Sequence, residues 1–175
     1  MRRFYSPEGV LNHVATDSAA DVARQVEEAF RDVPYPGDDH LTDGSSMEAL
    51  DVADFLRGRD WRDLRLDELV TNHASLFFMT PEAVRFYLPA YLTATLLHYN
   101  DADQIPGSVM FLLKTPAASD ADAYGRYRAR FGNVSPAQRQ AIRAFLTWIR
   151  DEHAEDFPAE GGVDEPSTLL RSWAG

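Results

Sequence analysis

Cysteine is absent from this chain. That excludes disulfides, thiol nucleophiles and every zinc or iron–sulfur site built on thiolates. Lysine is nearly absent: Lys114 stands alone, and 17 Lys and Arg together face 28 Asp and Glu, for a net charge of −11. Binding to a phosphate backbone depends on clustered cations, so nucleic acid is not an expected partner. An uninterrupted apolar run is missing as well. The longest greasy stretch, Ala74 to Tyr99, is broken by Glu82, Arg85 and Pro89, whereas a membrane span needs about 20 apolar residues in a row. Two arginines follow Met1, with no apolar segment behind them, so no signal peptide and no membrane anchor are expected. The expected compartment is the cytoplasm. Neither a Gly-rich phosphate loop, nor a nucleophile elbow, nor a zincin His pair occurs, and no cofactor is implied.

What is present is helical punctuation. A chain of 175 residues suits one domain. Ser18 with Asp21 reads as a cap before the stripe Val22, Ala23, Val26, Ala29 and Phe30. Ser45 with Glu48 opens a second helix, over Ala49, Val52, Ala53 and Leu56. Leu66, Leu69, Val70, His73, Ala74 and Phe77 give a third helical period. Thr80-Pro81-Glu82 is the strongest start signal: a capping hydroxyl, a proline suited to the first turn, and a carboxylate at the positive helix end. Residues 83–99 are then apolar almost all round, as in a helix buried on most faces. Pro89 inside that run removes an amide hydrogen bond and predicts a kink or a break. Val109 to Leu113 is read as a short helix, although periodicity alone does not separate it from a strand. Ser119 with Asp122, and Ser135-Pro136 with Gln138, start two more. The predicted fold is all-α: a compact multi-helix domain over residues 1–155 around a central, buried, Pro-kinked helix. Residues 156–175 form an acidic, Gly-rich tail, either disordered or docked through Leu169, Leu170 and Trp173.

Two segments carry a resemblance. Val33-Pro34-Tyr35-Pro36-Gly37-Asp38-Asp39-His40 and the run from Phe78 to Leu92, with its core Thr80-Pro81-Glu82-Ala83-Val84-Arg85-Phe86-Tyr87-Leu88-Pro89-Ala90, resemble a family of bacterial proteins of unknown function. Its members share a PGDD loop and a TPEA-containing core. Trp61 and the stretch from Gln138 to Leu146 fit it too, so the resemblance spans most of residues 26–149. Members often carry two cysteines near Ser46 to Leu50. This chain has none, so the resemblance implies no metal or redox role there. It implies a shared fold and supplies no activity.

Candidate sites follow from residue chemistry. Asp38, Asp39, His40 and Asp43 crowd a turn-rich loop, where carboxylates and an imidazole can bind a divalent cation or share a proton. The plainer reading is turn formation and capping. Arg85, Tyr87 and Tyr91 project from the central helix, and Arg85 can pair with Glu82 or reach Asp38 or Asp39. His98 ends that helix, where an imidazole suits the dipole. His73 falls on an apolar stripe and reads as a core imidazole. The run Asp151 to Asp156 reads as a solvated helix end, although a cation can sit there. Arg126-Tyr127-Arg128-Ala129-Arg130 is the densest basic run; its plainer reading is a solvated helix face. Phe77, Phe78, Phe86, Tyr87, Tyr91 and Tyr99 form either core or a patch facing a partner or a second copy.

With no catalytic motif, the favoured expectation is a non-enzymatic, acidic binding protein for a basic partner. An immunity or inhibitor protein is one such form. The alternative is a metal-dependent hydrolase or small-molecule binder centred on Asp38, Asp39 and His40, with Arg85 or His98 nearby. A homo-oligomer is compatible with either.

Overall fold

A computed structural model describes residues 17–158 and 162–175. Its helices, in chain order, are α1 (Ala19–Phe30), α2 (Met47–Leu56), α3 (Leu66–Thr71), α4 (Pro81–Leu97), α5 (Ile105–Leu113), α6 (Ala121–Phe131), α7 (Pro136–His153) and α8 (Glu165–Ser172). Short 3-10 turns join several of them. Among the described residues the fold is all-α, and extended pairing is limited to one isolated bridge between Thr42 and Met79. No helix among them is long and apolar enough to cross a membrane.

Helix α4 is the centre of the assembly. The Thr80 hydroxyl accepts from the Ala83 amide (3.1 Å), and Pro81 occupies the first turn, where a missing N–H costs nothing. Its residues Val84, Tyr87, Leu88, Tyr91 and Leu92 are shielded from water on all sides. Each such side chain stabilises the fold by roughly 1.5–3 kcal/mol. Helices α1, α3, α5 and α6 all pack on α4, α1 also packs on α7, and α8 lies on α7. Pro89 does not break the helix, which runs unbroken from Pro81 to Leu97. A proline in a helix interior costs about 3 kcal/mol. Here the ring is itself buried in the core, so apolar burial offsets part of that cost.

Two helix starts and one helix end differ from expectation, each for a local reason. Ser46 rather than Ser45 caps α2, accepting from the Ala49 amide at 3.1 Å. Ser45 belongs to the turn before it, its amide donating to Asp43 Oδ1 (2.9 Å). Asp120 rather than Ser119 caps α6, through the Ala123 amide at 3.0 Å. The third helical period does not run through to Phe77. The Asn72 side-chain amide and the Thr71 hydroxyl turn back onto the carbonyls of Glu68 and Asp67 (both 2.9 Å), as short polar side chains do at helix ends. A separate 3-10 turn, Ser75–Phe77, follows.

The C-terminal segment is a helix. The Asp164 carboxylate accepts from the Ser167 amide at 2.8 Å, and Leu169 and Trp173 enter the core. The Trp173 indole N–H donates to the Leu113 carbonyl (3.0 Å), tying the chain end to the end of α5.

Candidate functional site

The PGDD loop is a clasp. Gly37 sits at φ 94°, a backbone region that side chains disfavour. The turn brings Asp38 Oδ1 to accept from the Tyr35 hydroxyl (2.5 Å) and from the Gly58 amide (3.1 Å), just beyond the end of α2. The Thr80 hydroxyl donates to the His40 carbonyl (2.7 Å) and the Thr80 amide to the Leu41 carbonyl (3.0 Å), which fastens the loop to the start of α4. The Asp38 carboxylate is thus committed to the fold. Asp39 and His40 are exposed, and neither side chain has a hydrogen bond or ion pair among the described residues. Asp43 caps its own turn, and Ser45 holds its carboxyl below the usual range.

Of the other sequence candidates, Tyr87 meets the same turn at residues 56–59 that Asp38 holds, whereas Arg85, Tyr91 and His98 form no hydrogen bond or ion pair with the loop among the described residues. Arg85 lies 3.8 Å from Glu82, its neighbour one turn back, and pairs with neither Asp38 nor Asp39. Tyr87 is fully buried, its hydroxyl donating between the Leu56 (3.0 Å) and Arg59 (2.7 Å) carbonyls. Tyr91 is buried likewise and donates to the Asn72 carbonyl (3.1 Å). Burial drives both phenols well above their ordinary range. They pin turns to the core and present no hydroxyl to a ligand. His98 is the C-cap of α4, at the far end of 17 residues, about 25 Å from the loop at 1.5 Å per residue. Among the described residues no hydrogen bond or ion pair joins Asp38, Asp39 or His40 to Arg85 or His98. Among the described residues, no three His, Asp or Glu are grouped so as to hold a metal ion. His73 donates to or accepts from the Ser108 hydroxyl at 2.9 Å, as a satisfied imidazole does. His13 lies outside the described residues.

A different set of side chains does converge. Beside α5 lies a cleft of about 540 Å³ with four aromatic residues, Phe77, Tyr99, Phe111 and Phe157, and two carboxylates, Asp103 and Asp156, in its lining. Helix α5 explains one wall. Its residues Ile105, Ser108, Val109, Leu112 and Leu113 face the core, which leaves Gly107 and Phe111, one turn apart, on the outer face. Phe111 is 71% exposed although it is an aromatic residue in an apolar helix. Its ring meets Phe77 edge-on at 5.5 Å. Nothing lies within 4 Å of where a Gly107 Cβ would stand, so the wall is open there. Gln104 and Asp103 lead into the helix, and Asp103 sits at φ 48°, a left-handed position that aspartate tolerates better than most residues.

The opposite wall is made by two turns. The Tyr99 ring stacks on His153 with centroids 3.5 Å apart, and Trp148 meets both rings edge-on. The Tyr99 hydroxyl donates to Asp156 Oδ2 (2.8 Å). Burial, then the Asp156 carboxylate, raises the Tyr99 phenol far above its ordinary range, so Tyr99 stays a neutral donor. That bond ties the turn after α4 to the turn after α7 and fixes the Asp156 carboxylate at the cleft. Asp101 and Glu155 are exposed on the same two turns, and neither forms an ion pair among the described residues.

Part of this site was visible in the sequence. Tyr99 and Phe77 belong to the aromatic set, and Asp156 closes the acidic run, where a solvated end was the expected reading. Phe111, Gly107, Asp103 and Phe157 were missed. The available signal was the length of the apolar run at Val109 to Leu113: a nine-residue helix buried on one side leaves some apolar side chain facing out.

The model of a family of unknown function, DUF6714, matches residues 18–161. No curated protein and no solved structure matches the chain.

Proposed function

We propose that this chain, which belongs to the DUF6714 family of unknown function, is a binding protein whose partner inserts a cationic side chain into the cleft beside α5. The observation that carries this reading is the pairing of four aromatic rings with two carboxylates around one cavity. Aromatic faces attract alkylammonium and guanidinium groups by about 0.5–2 kcal/mol each, more when water is excluded. Asp103 and Asp156 supply the counter-charge. The net charge of −11 adds long-range attraction for a basic partner and speeds encounter at low salt. An inhibitor that caps a basic protein is one form this binding takes.

The test is a titration with a hexa-arginine peptide at low and at physiological salt, read by calorimetry. Binding is expected to fall about tenfold or more in Asp103→Asn/Asp156→Asn and in Phe111→Ala, in keeping with the loss of desolvated contacts. Gly107→Leu is the companion variant. It adds helix propensity, meets no neighbour at its Cβ, and places a side chain in the cleft. It is expected to block binding without loss of folding. Asp39→Asn/Asp51→Asn makes the same change in net charge on other exposed carboxylates. If that control weakens binding as much as the cleft variants do, the peptide sees only a diffuse negative surface and the site assignment is wrong.

A further inference from the structure

The cleft's aromatic pair has a second face. Phe77 and Phe111 also border a separate cavity of about 510 Å³ between α5 and α6, within the roughly 300–1,000 Å³ typical of small-molecule sites. Its wall is apolar along Leu112, Pro116 and Tyr127. At its other side stand Arg126 and Arg130, one helical turn apart.

Among the described residues these two arginines stand at one cavity wall without a carboxylate to neutralise them. In a protein with 28 acidic residues, neither forms an ion pair among the described residues. Arg130 is half-buried, and among the described residues its guanidinium has one hydrogen bond, a long one to the Phe77 carbonyl (3.4 Å). Five N–H donors on a half-buried guanidinium leave room for more. Burial, then the Arg126 charge beside it, lowers the Arg130 pKa from its ordinary range, so the two cations are brought together at a cost. Asp120, the carboxylate in the same lining, is engaged as the cap of α6. The Thr115 hydroxyl oxygen, also in the lining, is shielded from water and has no hydrogen-bond partner among the described residues. Tyr127 is its neighbour, yet the two hydroxyls do not meet hydrogen-bond geometry.

We infer that this cavity binds a small amphiphilic monoanion, its carboxylate held by Arg126 and Arg130 and its hydrocarbon body lying along Phe77, Phe111 and Tyr127. A planar guanidinium matches a carboxylate with two parallel bonds, which suits an Arg pair better than a diffuse attraction for any anion. Lys114, also in the lining, is paired with Glu165 (3.5 Å), and the apolar stretch of the wall favours a ligand with a hydrocarbon body over a bare inorganic ion. The site uses other charges than the acidic cleft and shares Phe77 and Phe111 with it.

Calorimetric titration with octanoate, octanol and inorganic phosphate tests this. Octanoate is expected to bind, with octanol and phosphate weaker by about tenfold or more, since each lacks one half of the complementarity. Arg130→Met is expected to weaken octanoate by about tenfold or more, consistent with the loss of a charge-assisted pair. Octanol binding as tightly as octanoate would reduce the cavity to a greasy hole. Phosphate binding as tightly would reduce the arginines to an unselective charge. Either result overturns the assignment, as does unchanged octanoate binding in Arg130→Met. Should that variant fail to fold, Ala123→Leu decides. It fills the cavity from α6 and leaves both guanidinium groups in place. Octanoate binding is expected to disappear in it, and its persistence is the refuting result.

Discussion

Replacing Trp173 by alanine is the sharpest test of how the chain end is integrated. Trp173 is 1% exposed, and a tryptophan side chain buries roughly 150–250 Å². At about 25 cal/mol per Å² that is roughly 4–6 kcal/mol, an upper figure because an unfolded chain already hides 10–40% of it. Removing the ring therefore costs about 3–5 kcal/mol, in line with aromatic-to-alanine changes in cores. Phe131 and Tyr127 lose an edge-on neighbour at 5.3 and 6.4 Å, and Arg139 loses the ring its guanidinium faces at 5.4 Å. The Leu113 carbonyl also loses its indole donor at 3.0 Å. Domains of this size are stable by only about 5–15 kcal/mol, so the variant forfeits about a fifth or more. Urea unfolding followed by far-ultraviolet circular dichroism measures this as a fall in midpoint at unchanged slope. Trp173→Phe separates the terms: it keeps most of the apolar bulk and drops the N–H, and is expected to cost about 1–3 kcal/mol. A loss below about 1 kcal/mol for Trp173→Ala, small against the 3–5 of a core aromatic, would mean that α8 does not hold Trp173 in the core in solution, and the reasoning would fail.

Two further outcomes follow from the same geometry. Tyr87→Phe leaves the Leu56 and Arg59 carbonyls without their shared donor and is expected to cost about 1–3 kcal/mol in the same urea assay; a neutral result would mean that water replaces the phenol. Glu68 carries the pH dependence. Two hydrogen bonds from Arg59 (2.9 and 3.0 Å), then one from the Arg65 amide, hold its carboxyl below the ordinary 4.5. A depressed folded pKa gives stability that is present above the unfolded value and is lost as pH falls through the folded one. Wild type is therefore expected to lose stability below about pH 4.5 more steeply than Glu68→Gln, and parallel acid curves for the two proteins would refute that role.

The fold was legible because its signals are local and repeat one another. Thr80-Pro81 sets a cap, a fixed φ and a dipole partner at one place, and the apolar run behind it has no polar face to leave outside. The misplaced starts at Ser45 and Ser119 show the limit of such reading. Two adjacent residues, Ser45 and Ser46 or Ser119 and Asp120, can each cap, and the choice belongs to the turn that precedes them. Asp43 claims the Ser45 amide and so shifts α2 by one residue. The end of the third period at Thr71 was hidden for a related reason. Side chains that bond back to their own helix carry no periodic signature.

The site was less legible because its residues are distant in sequence and ordinary one by one. A dense cluster such as Asp38, Asp39 and His40 attracts notice, yet proximity in sequence is what turns and caps require, and the structure spends Asp38 on a clasp. The cleft draws instead on the 3-10 turn at Phe77, the turn after α4, the outer face of α5 and the end of α7. None of these holds more than a pair of the residues concerned. The same holds for Arg126 and Arg130, which read as a solvated face from spacing alone. What distinguishes the pair is that Arg130 is half-buried beside a cavity with one long hydrogen bond among the described residues, a property of the packed chain. Phe111 joins the two halves. One exposed ring, held between an acidic cleft and a basic cavity, gives a ligand at either face an apolar surface in common.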